Sequence, residues 1–185
     1  MGRAEVKLWW LPVGAGGHVV IHTSRWWELW RSAREHRRPQ PLFHAALEVT
    51  AGTRYTIEMT PAWGQGSEPR GVVATGPVGA QRLGVLKLFR YEVRCWRDGD
   101  IPDLAYALEP PDLFSLPAGD AGALLQRVPR VPCLVWGAKM PGGDMWNSNS
   151  LISWLLQTSG IDAAELHPPR GGRAPGWRAG IDAAR

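Results

Sequence analysis

Long apolar runs are missing from this chain. Nowhere in its 185 residues does hydrophobic sequence reach the length of about 20 residues that a bilayer-spanning helix needs. The start, residues 1–13, lacks the organisation of a secretory signal, and Val6 spoils the myristoylation pattern that Met1-Gly2 begins. Both absences predict a cytoplasmic protein with no transmembrane segment. Cysteine is scarce as well: Cys95 and Cys133 form no metal or redox spacing, and both are expected to be reduced. The glycine-rich turn at 14–17 falls short of a dinucleotide fingerprint, because Val19 holds the third glycine position and no βαβ unit follows. His18 and His22 would share a strand face, but two histidines without a third clustered ligand read as polar edge positions. No metal and no organic cofactor is implied.

What is present suits one domain, 1–185, long enough to bury a core without disulfides, with a Gly-, Pro- and Arg-rich tail at 168–185. A hydrophobic content of 44% with 21% charged residues is ordinary for a soluble globular chain. Eleven tryptophans are not ordinary; they fill a core or line an apolar pocket. The net charge of +4 is local: residues 25–38 carry five arginines against two glutamates, and residues 167–185 four arginines against one aspartate. Arginine beside aromatics suits nucleic acid, yet no stacking platform or DNA-reading module accompanies it. A solvated helix face accounts for the first cluster.

Periodicity gives short strands at 5–11 and 18–22, then a helix capped by Ser24 and ended near Arg37 by the following prolines. Strand-like runs follow at 42–49, 54–59, 70–75 and 86–96. In the last, Phe89, Tyr91, Val93 and Cys95 share one face, making Cys95 a core residue rather than a nucleophile. Residues 108–118 read as irregular. Asp120 caps a short helix to about Val128, and 132–136 forms a short connecting strand. A helix from Ser148 stops at Gly160. The tail is either flexible or wrapped as an ordered loop anchored by Trp177. A helix, several antiparallel strands and then helices make an α+β domain, an antiparallel sheet packed against helices.

Two segments carry chemistry. Asn147-Ser148-Asn149-Ser150 runs directly into Leu151-Ile152-Ser153-Trp154-Leu155-Leu156, a polar turn feeding an apolar helix. Unpaired N–H groups and partial positive charge at a helix start stabilise an oxyanion, so Ser148 is the best nucleophile candidate. The plainer reading makes Asn147 or Ser148 an N-cap only. The second segment is the hairpin 42–59. A three-residue turn Thr50-Ala51-Gly52 sets Val49 against Thr53, Glu48 against Arg54, Ala46 against Thr56 and His44 against Glu58. Leu47–Tyr55 and Ala45–Ile57 then occupy the apolar face. A carboxylate beside an imidazole orients it and raises its basicity.

On these residues the chain resembles the circularly permuted papain-like superfamily, which includes lecithin–retinol acyltransferase-like proteins and PPPDE-type peptidases. Phe43-His44-Ala45-Ala46-Leu47-Glu48-Val49 is similar to the family's histidine strand, and Glu58 stands where its second polar residue lies. Asn147-Ser148-Asn149 is similar to its Asn-Cys-Asn pattern, with serine in place of cysteine. The resemblance spans residues 42–158 by order of elements and implies a permuted papain-like fold. Serine is the main departure, since an alcohol needs a base to take its proton as it attacks.

The expected function is therefore serine-dependent acyl transfer, as hydrolase or acyltransferase, on an amide, ester or thioester of a small-molecule or peptide substrate. Ser148 attacks, His44 is general base then acid, and Glu58 holds the imidazole. Backbone N–H groups near Ser148 and Asn149, with the Asn147 amide, bind the oxyanion, and Trp146 and Trp154, which flank the site in sequence, suit an apolar or aromatic acyl group. Two rival readings are a non-catalytic binding module on the same fold, and a basic, Trp-rich nucleic-acid or membrane-surface binder using Arg31, Arg34, Arg37 and Arg38.

Overall fold

The computed structural model describes residues 2–14, 28, 32–34, 36, 38–62, 71–101 and 103–185. The expected strand 18–22, the histidines His18 and His22, and most of the expected helix 24–37 lie outside them. Of that helix, residues 28, 32–34 and 36 are described; 28 and 32–34 are helical, and His36 is a turn residue at φ +51°.

Alternation writes the first strand, β1 (Arg3–Pro12): Ala4, Val6, Leu8 and Trp10 are buried while Arg3 and Glu5 face outward. It pairs with β2 (Phe43–Ala51), which turns into β3 (Thr53–Pro61). Next come β4 (Val72–Pro77), β5 (Arg90–Arg97) and β6 (Asp112–Pro117), completing a six-stranded antiparallel sheet in the order β4-β5-β3-β2-β1-β6. Helices α1 (Ala118–Arg127), α2 (Ser148–Thr158) and α3 (Trp177–Ala183) follow. The fold class is α+β.

The main core lies between one sheet face and these helices, joining Val6, Leu8, Phe43, Leu47, Val49 and Ile57 to Leu151, Ile152, Leu155 and Leu156. On the other face Leu11, Ala46 and Ile101 form a second, smaller cluster. The odd-numbered residues of β2 therefore face the helices, and His44, Ala46 and Glu48 face away.

Several expected elements differ. Residues 86–89 are not strand; 3-10 turns at Gln81–Val85 and Lys87–Phe89 precede β5. Residues 112–117, expected to be irregular, form β6 and supply the carboxylate that accepts from the Trp10 indole N–H at 2.9 Å. Pro117 rather than Asp120 stands at the N-cap of α1, with Asp120 in the first turn. Residues 132–136 contribute only an isolated bridge, Trp136 to Val78. The tail takes the ordered alternative. Trp177 packs against Trp10 with ring centroids 4.7 Å apart and planes tilted by 51°, and its indole N–H donates to the Ala163 carbonyl at 2.7 Å.

The hairpin register is also corrected. Gly52, at φ +79°, is the tip itself, with Ala51 opposite Thr53 and Thr50 opposite Arg54. Leu47 consequently meets Ile57, and Glu48 meets Thr56. The slide is by two residues, so each side chain keeps its expected face while its cross-strand partner changes. The large aliphatic pair Leu47–Ile57 lies under α2, where it fills the core better than Ala45–Ile57 would.

Candidate active site

The β2–β3 ladder ends at Leu47–Ile57. Beyond it, the outward-pointing backbone groups of Phe43 and Ala45 need partners other than β3. The tail supplies one, the Arg173 carbonyl, which accepts from the Phe43 N–H at 2.8 Å. Asn149 supplies the rest. Its side-chain oxygen accepts from the Ala45 N–H at 2.7 Å, and its amide donates to the Phe43 carbonyl at 3.0 Å and the Pro175 carbonyl at 2.8 Å. One primary amide thus imitates a strand's peptide group on either side of His44. The mouth of α2 is thereby fixed to the backbone on either side of that histidine, whose imidazole projects to the sheet face away from the helices and forms no hydrogen bond with Ser148.

The polar turn is built as a capping box. The Asn147 side chain accepts from the Asn149 N–H at 2.9 Å, and the Ser150 hydroxyl oxygen accepts from the Asn147 N–H at 3.0 Å. The Asn147 amide donates to the Pro175 carbonyl at 2.8 Å, and the Ser150 hydroxyl donates to the Gly176 carbonyl at 2.7 Å. The N-cap reading of Asn147 is therefore correct. Ser148 differs from its neighbours: it is half-buried, and its hydroxyl and N–H meet no hydrogen-bond partner among the described residues.

These bonds revise the expected oxyanion donors. The Asn149 N–H and the Asn147 amide already have acceptors, which leaves the N–H of Ser148 as the open donor of the turn. Trp146 does not flank a pocket; it is fully buried in the main core.

Glu58 does not brace His44. It stands opposite Arg94 on β5, and its carboxylate lies 3.4 Å from that guanidinium. Arg94 is itself buried and bonds Glu92 at 2.7 Å. A buried cation between two carboxylates is a stronger demand on Glu58 than a half-buried imidazole, because unpaired buried charge is costly. The carboxylate near His44 is Asp103, with Oδ2 3.8 Å from Nε2. The segment bearing it follows Ile101 and precedes Leu104, which pack beside Leu11 and Ala46. Sequence reading missed this residue because nothing local connects it to His44.

The imidazole N–H, aimed at Asp103 across a gap longer than a full hydrogen bond, holds that carboxyl below its ordinary value, with a smaller coulombic contribution from the same ring. A depressed folded-state value stabilises the protein above the unfolded carboxyl range, near pH 4, and that contribution fades as pH falls through the folded value. The Asp103→Asn variant is expected to unfold at lower urea than the parent at pH 6, the two midpoints converging as pH drops below 4. Parallel curves across that range would mean that the pair is not coupled.

Cys95 is half-buried and its thiol is pushed by burial up to about 11; burial raises Cys133 too. Neither has the lowered value of a nucleophilic thiol. Among the described residues, no three His, Cys, Asp or Glu side chains gather as a metal ion would require, and no helix is long and apolar enough to cross a membrane. Of the arginines in the basic-face reading, Arg31 and Arg37 lie outside the described residues, and Arg34 and Arg38 are exposed. No family model, curated protein or solved structure matches the chain.

Proposed function

We propose that the protein is a serine-dependent acyl-transfer enzyme on a permuted papain-like scaffold, with Ser148 as nucleophile, His44 as base and Asp103 as the carboxylate behind it. The observation that carries this reading is the grip of the Asn149 amide on the backbone flanking His44. Ser148 is one residue earlier, a Cα spacing of about 3.8 Å, at the same helix mouth. Its unpartnered hydroxyl suits a group reserved for a ligand, in a turn where every other polar side chain has a structural bond.

In this scheme His44 takes the hydroxyl proton as the Ser148 oxygen attacks the substrate carbonyl carbon. The carbonyl π electrons move to oxygen, where the Ser148 N–H stabilises the negative charge. Collapse expels the amine, alcohol or thiol, which receives its proton from the imidazolium. Water or a second acceptor then attacks the acyl-serine by the same route, restoring the free hydroxyl. Aspartate stabilises the imidazolium as its charge forms.

A fluorophosphonate probe tests the scheme. Labelling is expected at Ser148, read by peptide mass, and His44→Ala is expected to slow it by about a hundredfold or more. Labelling no faster than that of Ser148→Ala removes the catalytic reading. A binding module, in which 147–150 serves only to hold the tail, would then be favoured.

A further inference from the structure

The two 3-10 turns between β4 and β5 turn their apolar side chains outward. Val85 is 75% exposed, Leu88 60% and Leu86 54%, with Leu83 beside them. Val72 and Val73 of the adjoining edge strand are exposed too. Single exposed leucines are ordinary, but a run of them on one projection is not. Nor is the projection a slack loop. The Arg90 guanidinium donates to the Gly84 carbonyl, and to the Val85 carbonyl at 2.7 Å, clamping the turn from below. The Leu86 and Phe89 N–H groups close the two turns onto Leu83 and Leu86 at 3.0 and 2.9 Å. These turn-closing bonds are internal while the side chains face out, a combination that favours contact with a medium poor in hydrogen-bonding groups.

Charge identifies that medium. Residues 71–90 contain no Asp or Glu and three cations, Arg82, Lys87 and Arg90. Arg82 and Lys87 flank the apolar tip and are exposed. A second copy of the chain would bring like charge against like charge at this edge. An anionic lipid surface meets both features, acyl chains for the leucines and headgroups for the cations.

We propose that the 81–90 projection is a membrane-docking prow that seats the protein peripherally on anionic bilayers, with Val85, Leu86 and Leu88 in the acyl boundary and Arg82 and Lys87 at the headgroups. The proposal is independent of whether Ser148 is a nucleophile.

The test is co-sedimentation of the full chain with phosphatidylcholine vesicles, with and without about one-third phosphatidylserine. Binding is expected only to the anionic vesicles, weakening as salt rises. It should fall about tenfold or more in Val85→Ser/Leu88→Ser and in Arg82→Glu/Lys87→Glu, whose exposed sites leave the thermal midpoint nearly unchanged. Leu113→Ser, an exposed apolar position on β6 at the opposite edge, should bind like the parent. Failure of the folded parent to bind, or equal binding by the prow variants, overturns the proposal. So does a concentration-dependent dimer, without lipid, that Val85→Ser/Leu88→Ser dissolves; that outcome assigns the surface to a second copy.

Discussion

Replacing Asn149 by alanine is expected to remove about 3–5 kcal/mol of stability, enough to leave a typical domain largely or partly unfolded near physiological temperature. Asn149 is only 3% exposed, and its amide satisfies the Ala45 N–H and the Phe43 and Pro175 carbonyls together. Alanine leaves the Ala45 N–H and the Phe43 carbonyl without partners at a point where β3 has already left the ladder, while the Pro175 carbonyl keeps the Asn147 amide. Each unsatisfied buried group costs about 1–3 kcal/mol, less whatever water recovers. Asn149→Asp separates geometry from volume. The carboxylate keeps the acceptor for Ala45 but faces two carbonyl oxygens, so it should be at least as damaging at pH 7. Its penalty should shrink on acidification, because the folded state then raises the new carboxyl's pKa and the protonated form can donate once. Equilibrium urea unfolding at pH 7 and near pH 4 reads both effects. A loss under about 1 kcal/mol for Asn149→Ala would show that the edge needs no amide. The proposed pairing of Ser148 with His44 would then lose its structural support.

Gly180→Ala should also destabilise, against helix propensity. Alanine inside a helix is better than glycine by about 1 kcal/mol, and α3 is short enough to benefit. A Cβ at this position, however, would stand 2.1 Å from both the Ser150 carbonyl oxygen and the Ser153 hydroxyl oxygen. The serine hydroxyl can rotate away, but it would give up its 2.7 Å bond to the Trp177 carbonyl. The Ser150 carbonyl belongs to α2 and moves only if the two helices separate. Overpacking of this kind costs about 1–3 kcal/mol, and the forfeited hydrogen bond about 1 more. Net destabilisation of about 1–3 kcal/mol follows. Adding Ser153→Ala should restore only part of it, because the backbone clash remains. A thermal midpoint equal to or above the parent's would mean that α3 sits further from α2 than the distances indicate. The tail would then be a looser attachment to the site.

Both expectations concern the latch, and the latch is where legibility from sequence was uneven. The α2 start was readable to within a residue, since Asn147 and Ser148 both suit an N-cap before an apolar run; the capping box with Ser150 gives the cap to Asn147. Ser150 and Ser153, three apart on one helix side, and Gly176 and Gly180, four apart in the tail, are the trace of close α2–α3 packing. That trace became interpretable only when the tail was seen to return. The hairpin was readable in its parity but not its offset. Turn chemistry accepts Gly52 either as tip or as last loop residue, and the choice was made by Leu47 and Ile57 packing beneath a helix about a hundred residues later in the chain.

Sequence alone determined the α+β class, the faces of β2 and β5, the helix at Ser148 and the absence of a membrane-length helix among the described residues, because each rests on local period or capping. Tertiary structure decided which carboxylate faces His44, since Arg94 claims Glu58 and a packed loop delivers Asp103. It also decided that Asn149 closes the sheet edge and that the apolar turn at 81–89 faces outward. Those outcomes depend on competition among distant groups for the same charge, hydrogen bond or cover, and a linear pattern does not record which competitor arrives.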